Sequence, residues 1–351
     1  MWAYVLAATV RVTRDIDLAE ECVQDAFAKA LLSWGDDPPR NPGAWLTTAA
    51  RNRALDVIRR EATLRTKLPL LVEEPPDAQD PFPDDRLRLV FTCCHPAIAP
   101  EAQVALTLRL LCGLSTAEVA RAFLVSEPTM AARITRAKKK IAQARIPYRI
   151  PDAEDLPDRV DAVLAALHLL FTTGHTAPTG DQLVRHDLVS RALDLTRMLR
   201  TLLPTPEVDG LLALILLTDA RRATRLDDEG RLVLLEAQDR TKWDAVQTAE
   251  GIDLVTAALT PTPGRYALQA AIAAVHAEDG PTDWGQVVAL YDRLITVLPT
   301  PVVALNRAVA VAELHGPRAG WEVISGLDLP GYAPLDVVRE ELARRLEAGE
   351  R

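Results

Sequence analysis

Residues 115–140, STAEVARAFLVSEPTMAARITRAKKK, decide the fold class of this chain. Ser115-Thr116-Ala117-Glu118 fits a capping box, in which a hydroxyl residue followed three positions later by Glu satisfies the exposed N–H groups of a helix start. A short helix through Val119, Ala120 and Phe123 is expected, then a turn near Leu124-Val125. Ser126 caps a second helix, with Pro128 in its first turn, where a missing N–H costs little. Met130, Ile134, Ala137 and Ile141 recur at helical spacing and predict its buried stripe. Thr129, Ala132, Arg133, Arg136 and Lys139 fall on or beside the opposite side. No acidic residue occurs between Pro128 and Pro151, while Lys138, Lys140, Arg145 and Arg149 add to the positive charge. A short helix presenting small and basic residues suits a DNA major groove, its cations neutralising the flanking phosphates. The plainer alternative is a helical hairpin with a solvated basic face.

Working outward, the 351 residues are 48% apolar and only 5% aromatic, enough for two or three cores. Abundant Ala, Leu and Arg with few β-branched runs predict an all-α protein. The formal charge of −9 divides unevenly: residues 1–151 sum to +3 and residues 152–351 to −12. Such asymmetry points to separate tasks for the two parts, the acidic one suited to a partner or to shielding the basic surface. Cys22, Cys93, Cys94 and Cys112 all lie in the first third. Cys93-Cys94-His95 has poor chelate geometry and no second ligand pair, so packed, reduced thiols are expected, with no metal and no cofactor. Leu211 to Leu217 is too short to cross a bilayer, which predicts a cytoplasmic chain without a membrane partner.

Asp17-Leu18-Ala19-Glu20 is a second capping pattern, opening a helix to Trp34. Cys22, Val23, Phe27, Ala30, Leu31 and Trp34 are its expected buried side. Asp36-Asp37-Pro38-Pro39 breaks the chain, and Asn41 caps the next helix, with Pro42 in its first turn, to about Arg65. Residues 1–67 thus form a first domain. Residues 68–85 read as an acidic linker, since 69–85 hold six acids and five prolines. A second domain spans 86–150 and contains the helix-turn-helix. In the remaining 151–351, Leu203-Pro204-Thr205-Pro206 returns ninety-five positions later as Leu298-Pro299-Thr300-Pro301. Each copy joins two apolar helical segments, and the interval is close to three tetratricopeptide (TPR) periods, which predicts a TPR-like helical solenoid.

The helix beginning at Pro42 carries two chemistries. Leu46, Ala50, Ala54 and Val57 form a core stripe. Trp45, Thr48, Asn52, Asp56 and Arg59 fall at intervals of three and four on another face, with Arg51 and Arg60 beside them. A ring offers a stacking platform for unstacked bases, while amide and guanidinium groups bond base edges and phosphates. The opposing possibility is a core Trp45 beside solvated arginines.

Two such units joined by an acidic tether resemble a known family. Asp17 to Phe27 (DLAEECVQDAF) is similar to the part of bacterial sigma factors that grips the RNA polymerase clamp. Asn41-Pro42-Gly43-Ala44-Trp45-Leu46, continued by Ala50 to Asp56, resembles the part that melts and reads the −10 promoter element. Ser115 to Lys140 resembles their −35-reading helix-turn-helix. Order and spacing match the extracytoplasmic-function (ECF) group of the sigma-70 family. Residues 152–351 are similar to the TPR-like extension of one subgroup, notably at Ala237 to Asp244 and Asn306 to Ala310.

The resemblance implies core polymerase and promoter DNA as partners, with no catalytic residue. It implies Gln24, Asp25 and Phe27 at the clamp contact. Trp45, Thr48, Arg51, Asn52, Asp56, Arg59 and Arg60 would face the −10 element, with an everted base in the loop from Ser33 to Arg40. Ser126, Thr129, Ala132, Arg133 and Arg136 would serve the −35 groove, and Lys138 and Lys139 the phosphates. The acidic linker is expected in a basic polymerase channel, and the extension in intramolecular contact with the sigma domains. Leu124 departs from the small residue usual at the turn, and Ala131 from a common basic residue. A TPR-containing helix-turn-helix regulator acting without core polymerase is the rival reading. An enzyme using His175, Asp181 and His186 is a third, though no nucleophile there pairs with a base.

Overall fold

In a computed structural model of the chain, the residues described are 1–35, 37–64, 85–123, 125–175, 182–225, 227, 233, 235–278, 280–327 and 332–349. Among them the regular structure is helical throughout, without strands. Contacts divide the chain into two compact units, Met1–Leu195 and Thr196–Arg351. Of the expected linker 68–85, residues 68–84 lie outside the described residues, as do the turn residue Leu124 and Asp181.

In the first unit, α1 (Trp2–Thr13), α2 (Ile16–Ser33) and α3 (Pro42–Leu64) pack pairwise. Val5, Leu6, Val23, Leu46, Ala50 and Ala54 fill the space between them. The Asn41 side chain accepts from the Ala44 N–H at 3.0 Å, the cap the sequence predicts. Helix α2 begins two residues earlier than the sequence pattern suggests. Its N-cap is Asp15, whose carboxylate accepts from Asp17 and Leu18 N–H at 2.8 and 3.0 Å. Glu20, expected in a capping pattern with Asp17, is buried instead. Leu31, expected in the core, is 85% exposed, and Leu32 beside it 89%. The stripe ends at Ala30 because the last turn of α2 runs past the body that covers its earlier turns.

α4 (Asp85–Cys93), α5 (Pro100–Leu106) with a following π-turn (Thr107–Leu111), α6 (Thr116–Ala122) and α7 (Glu127–Gln143) build the helix-turn-helix body. Ser115 and Glu118 complete the capping box. Ser126 caps α7 through the Thr129 N–H, and Met130, Ile134, Ala137 and Ile141 are its buried residues, as the spacing requires. The two bodies lie against each other. α4 packs on α1, and the Tyr148 hydroxyl donates to Ala7 O at 2.8 Å. At Gly113, in the left-handed region, a Cβ would meet the Trp2 ring at 3.2 Å. Helix α8 (Leu156–His175) packs on α4 and α5, and Arg159 donates to Phe91 O at 2.6 Å. The unit boundary therefore falls at Leu195, inside α9 (Gln182–Leu202), well beyond residue 150.

The second unit continues with α10 (Pro206–Ala220), α11 (Ala245–Ala258), α12 (Arg265–Val275), α13 (Trp284–Val297), α14 (Pro301–His315), α15 (Pro317–Ile324) and α16 (Ala333–Glu347). Each packs on helices next to it or one further along the chain, α12 most extensively on α10. The repeated Leu-Pro-Thr-Pro is a helix-start device. Thr205 and Thr300 accept from Val208 and Val303 N–H, each at 3.3 Å, with the second proline at the first helical position. α10 is buried on nearly every side and approaches α12 so closely that a Cβ at Gly210 would lie 2.5 Å from Ala267 N.

Candidate nucleic-acid and polymerase interface

Helix α3 turns its apolar stripe inward and leaves Thr48, Arg51, Asn52, Asp56, Arg59 and Arg60 exposed. Trp45 opens this row. It is half-buried, its ring edge-on to Trp34 with centroids 5.3 Å apart. Packing on one side fixes the indole while its remaining surface stays open, as a stacking platform requires. The expected −10 residues are thus on one helix face.

On α7, Thr129, Ala132, Arg136 and Lys139 are exposed and Arg133 is half-buried. The Arg133 guanidinium lies 5.6 Å from the centre of the Phe123 ring, so α6 steadies a cation of α7. Ser126 is occupied by capping: its Oγ lies 2.8 Å from Thr129 Oγ1 as well as accepting the backbone N–H. A shallow cavity of about 310 Å³ opens beside Arg133, Arg136 and Lys140, where α7 meets the start of α5.

Lys138 is placed differently from its neighbours. Its ammonium donates to Asp17 at 2.6 Å and to Glu20, both on α2. The other Glu20 oxygen pairs with Arg109 at 2.9 Å. Burial disfavours the charge on Lys138, but the two carboxylates outweigh it and hold the ammonium above its usual range. The phosphate contact expected of Lys138 is therefore replaced, in this arrangement, by a bond across the two bodies. Sequence reading missed this cluster. The available signal was an acid inside the stripe Ile16, Ala19, Val23 and an arginine inside the apolar run Leu106 to Leu111.

The residues expected at the polymerase contact separate. Gln24 is exposed; Asp25 bonds Arg53 at 2.9 Å; Phe27 is half-buried against Trp2, ring centres 5.7 Å apart. Phe27 thus joins α1 to α2. Cys93 and Cys94 are fully buried, and burial raises both thiols, Cys94 to about 11, so they are poor nucleophiles. No cluster of potential metal ligands occurs among the described residues. His175 stacks on Phe171, ring centres 4.9 Å apart. No helix of the described residues is long and apolar enough to cross a membrane.

With this geometry in place, comparison with known proteins is specific. The model of sigma-70 region 2 matches residues 3–63, and that of sigma-70, region 4 matches residues 88–141. A family of unknown function (DUF6596) matches residues 159–259. An uncharacterized protein of Rhizobium meliloti (strain 1021) is 41% identical over 360 residues, covering 97% of this chain and 85% of that protein. No solved structure matches. Region 2 followed by region 4 defines the class: an RNA polymerase sigma factor, whose partners are core polymerase and promoter DNA. The chain belongs to the extracytoplasmic-function type of the sigma-70 family, with a C-terminal extension. A regulator acting without core polymerase is not favoured, because region 2 accounts for the whole of α1 to α3.

Proposed function

We propose that the exposed face of α3 opens and reads the −10 element and that α7 reads the −35 element. The carrying observation is the row Thr48, Asn52, Asp56 and Arg59, open to solvent beside a Trp45 braced by Trp34. Flipping a base costs a few kcal/mol, which a fixed indole and convergent polar groups can offset. Arg133, Arg136 and Lys139 supply the cations for the second site. Leu31 and Leu32, two exposed leucines at the end of α2 near Gln24, support a protein partner on that helix, namely the polymerase clamp. The chain works in the cytoplasm, where its free thiols stay reduced.

The extension acts as a TPR-like regulatory solenoid that follows α8. Packing of the helices from α10 onward on others one or two places along the chain supports that reading, since a solenoid is built from such short-range contacts. The test is core polymerase reconstituted with the full chain on a library of promoter fragments. Discrete transcript starts that disappear with Asn52→Ala are expected. Failure of the chain to join core polymerase would overturn the assignment of these surfaces.

A further inference from the structure

A second concentration of charge lies in the extension, far in sequence from either DNA surface. Residues 152–351 carry a net charge of −12, yet four arginines and a histidine converge at one corner of the second unit. Arg221 and Arg225 follow the end of α10. The segment 239–244 is stitched to the same place: Asp244 N–H donates to Ala220 O at 2.9 Å and the Trp243 indole N–H to Thr224 Oγ1 at 3.0 Å. Arg240 lies 5.8 Å from the Trp243 ring centre and donates to Glu278 O and Gly280 O at 2.7 and 3.0 Å, just past the end of α12. His276, the C-cap of α12, stands edge-on to Trp284 with ring centres 5.5 Å apart.

These cations are not equally balanced. Arg222 pairs with the buried Asp219 at 3.4 Å, and the same carboxylate supports Arg225. Arg221 is half-buried, and among the described residues no carboxylate supports it; burial and then its neighbour Arg225 both work against its charge. The imidazole Nδ1 of His276 is buried without a hydrogen-bond partner among the described residues. Burial, followed by Arg221 and Arg240, pushes His276 down to about 4, so the imidazole is neutral at physiological pH and offers one N–H. A half-buried guanidinium that no carboxylate among the described residues balances, and a buried imidazole nitrogen without a hydrogen-bond partner, cost free energy that a bound anion would recover.

We propose that this corner is a binding site for a small phosphorylated molecule, its phosphoryl group held by Arg221 and Arg225 with the His276 imidazole on a third side. A phosphoryl group suits the corner better than a carboxylate: it brings up to two negative charges and three acceptor oxygens to donors arriving from different elements. Guanidinium forks match those oxygens bidentately. The site uses residues of the second unit only, whereas α3 and α7 belong to the first, so its test does not depend on promoter recognition.

The experiment is calorimetric titration of the full chain with inorganic pyrophosphate, with citrate and chloride at matched ionic strength as the other arms. Saturable binding of pyrophosphate is expected, weakened about tenfold or more by Arg221→Gln, as loss of a charge-assisted bond implies. Arg318→Gln, an exposed arginine elsewhere in the same unit, should leave binding unchanged. Thermal melting supplies the second readout. Without ligand, Arg221→Gln should melt at or above the parent temperature, because a half-buried cation without a carboxylate is removed. Absence of saturable binding, equal binding by Arg221→Gln, equal preference for citrate, or a marked fall in the unliganded melting temperature of Arg221→Gln would each overturn the proposal.

Discussion

Glu20 holds the two sigma domains together at the level of single side chains. Its carboxylate is nearly inaccessible and is shared between Arg109 and Lys138. Removing one partner from such a buried network leaves uncompensated charge, so Glu20→Ala should lose about 3 kcal/mol in a denaturant melt. Lys138 and Lys139 make a direct contrast. Lys139→Ala should flatten the salt dependence of promoter binding by about one unit of slope with stability unchanged, as expected for a phosphate contact. Lys138→Ala should instead lower stability. A normal melt for Lys138→Ala would mean the bond to Asp17 and Glu20 contributes nothing in solution.

Among the elements, the repeated threonine caps are the clearest case. Thr300→Ala removes the side-chain acceptor for Val303 N–H and should destabilise the protein by about 1 kcal/mol, with Thr300→Ser largely restoring it. The C-terminal end of α12 gives a pH dependence. His276 takes a proton near 6.5 in the unfolded chain and only near 4 when folded, facing Arg221 and Arg240. The unfolded state therefore binds more protons between those values, and stability falls as pH drops from about 6.5 toward 4. His276→Asn should remove that part of the slope in melts recorded across the window. The caps at Ser115, Ser126 and Asn41 were legible in sequence, because a cap depends only on residues three apart, whereas Thr205 and Thr300 were read only as part of a repeated junction between helices. The start of α2 was not: the pattern Asp17 to Glu20 pointed two residues too far along, and Asp15 is the cap, with Glu20 turned into the core.

For the molecule as a whole, the placement of α8 decides how the chain can be divided. Val163, Leu164 and Leu167 are buried residues of a helix that packs on α4 and α5. A chain ending at residue 151 should therefore show a lower and broader melt than one ending at residue 195, although both contain regions 2 and 4. Equal melts for the two would show that α8 adds nothing to the first unit. Proline-rich composition at 147–151 marks the passage from α7 to α8, and a turn in the chain's course is not by itself a break in its contacts.

Local spacing in the sequence was enough to specify the helices, their apolar stripes, the caps at Ser115, Ser126 and Asn41, and the two basic faces, because each depends on residues within one or two turns. Tertiary structure alone decided which charges are used internally. Glu20 and Lys138 are separated by 118 positions and meet only when two domains pack. Arg221, Arg240 and His276 likewise converge from three separate elements. One-dimensional periodicity says which side of a helix is apolar, but a charge becomes a bond only where another chain segment brings its partner and excludes water.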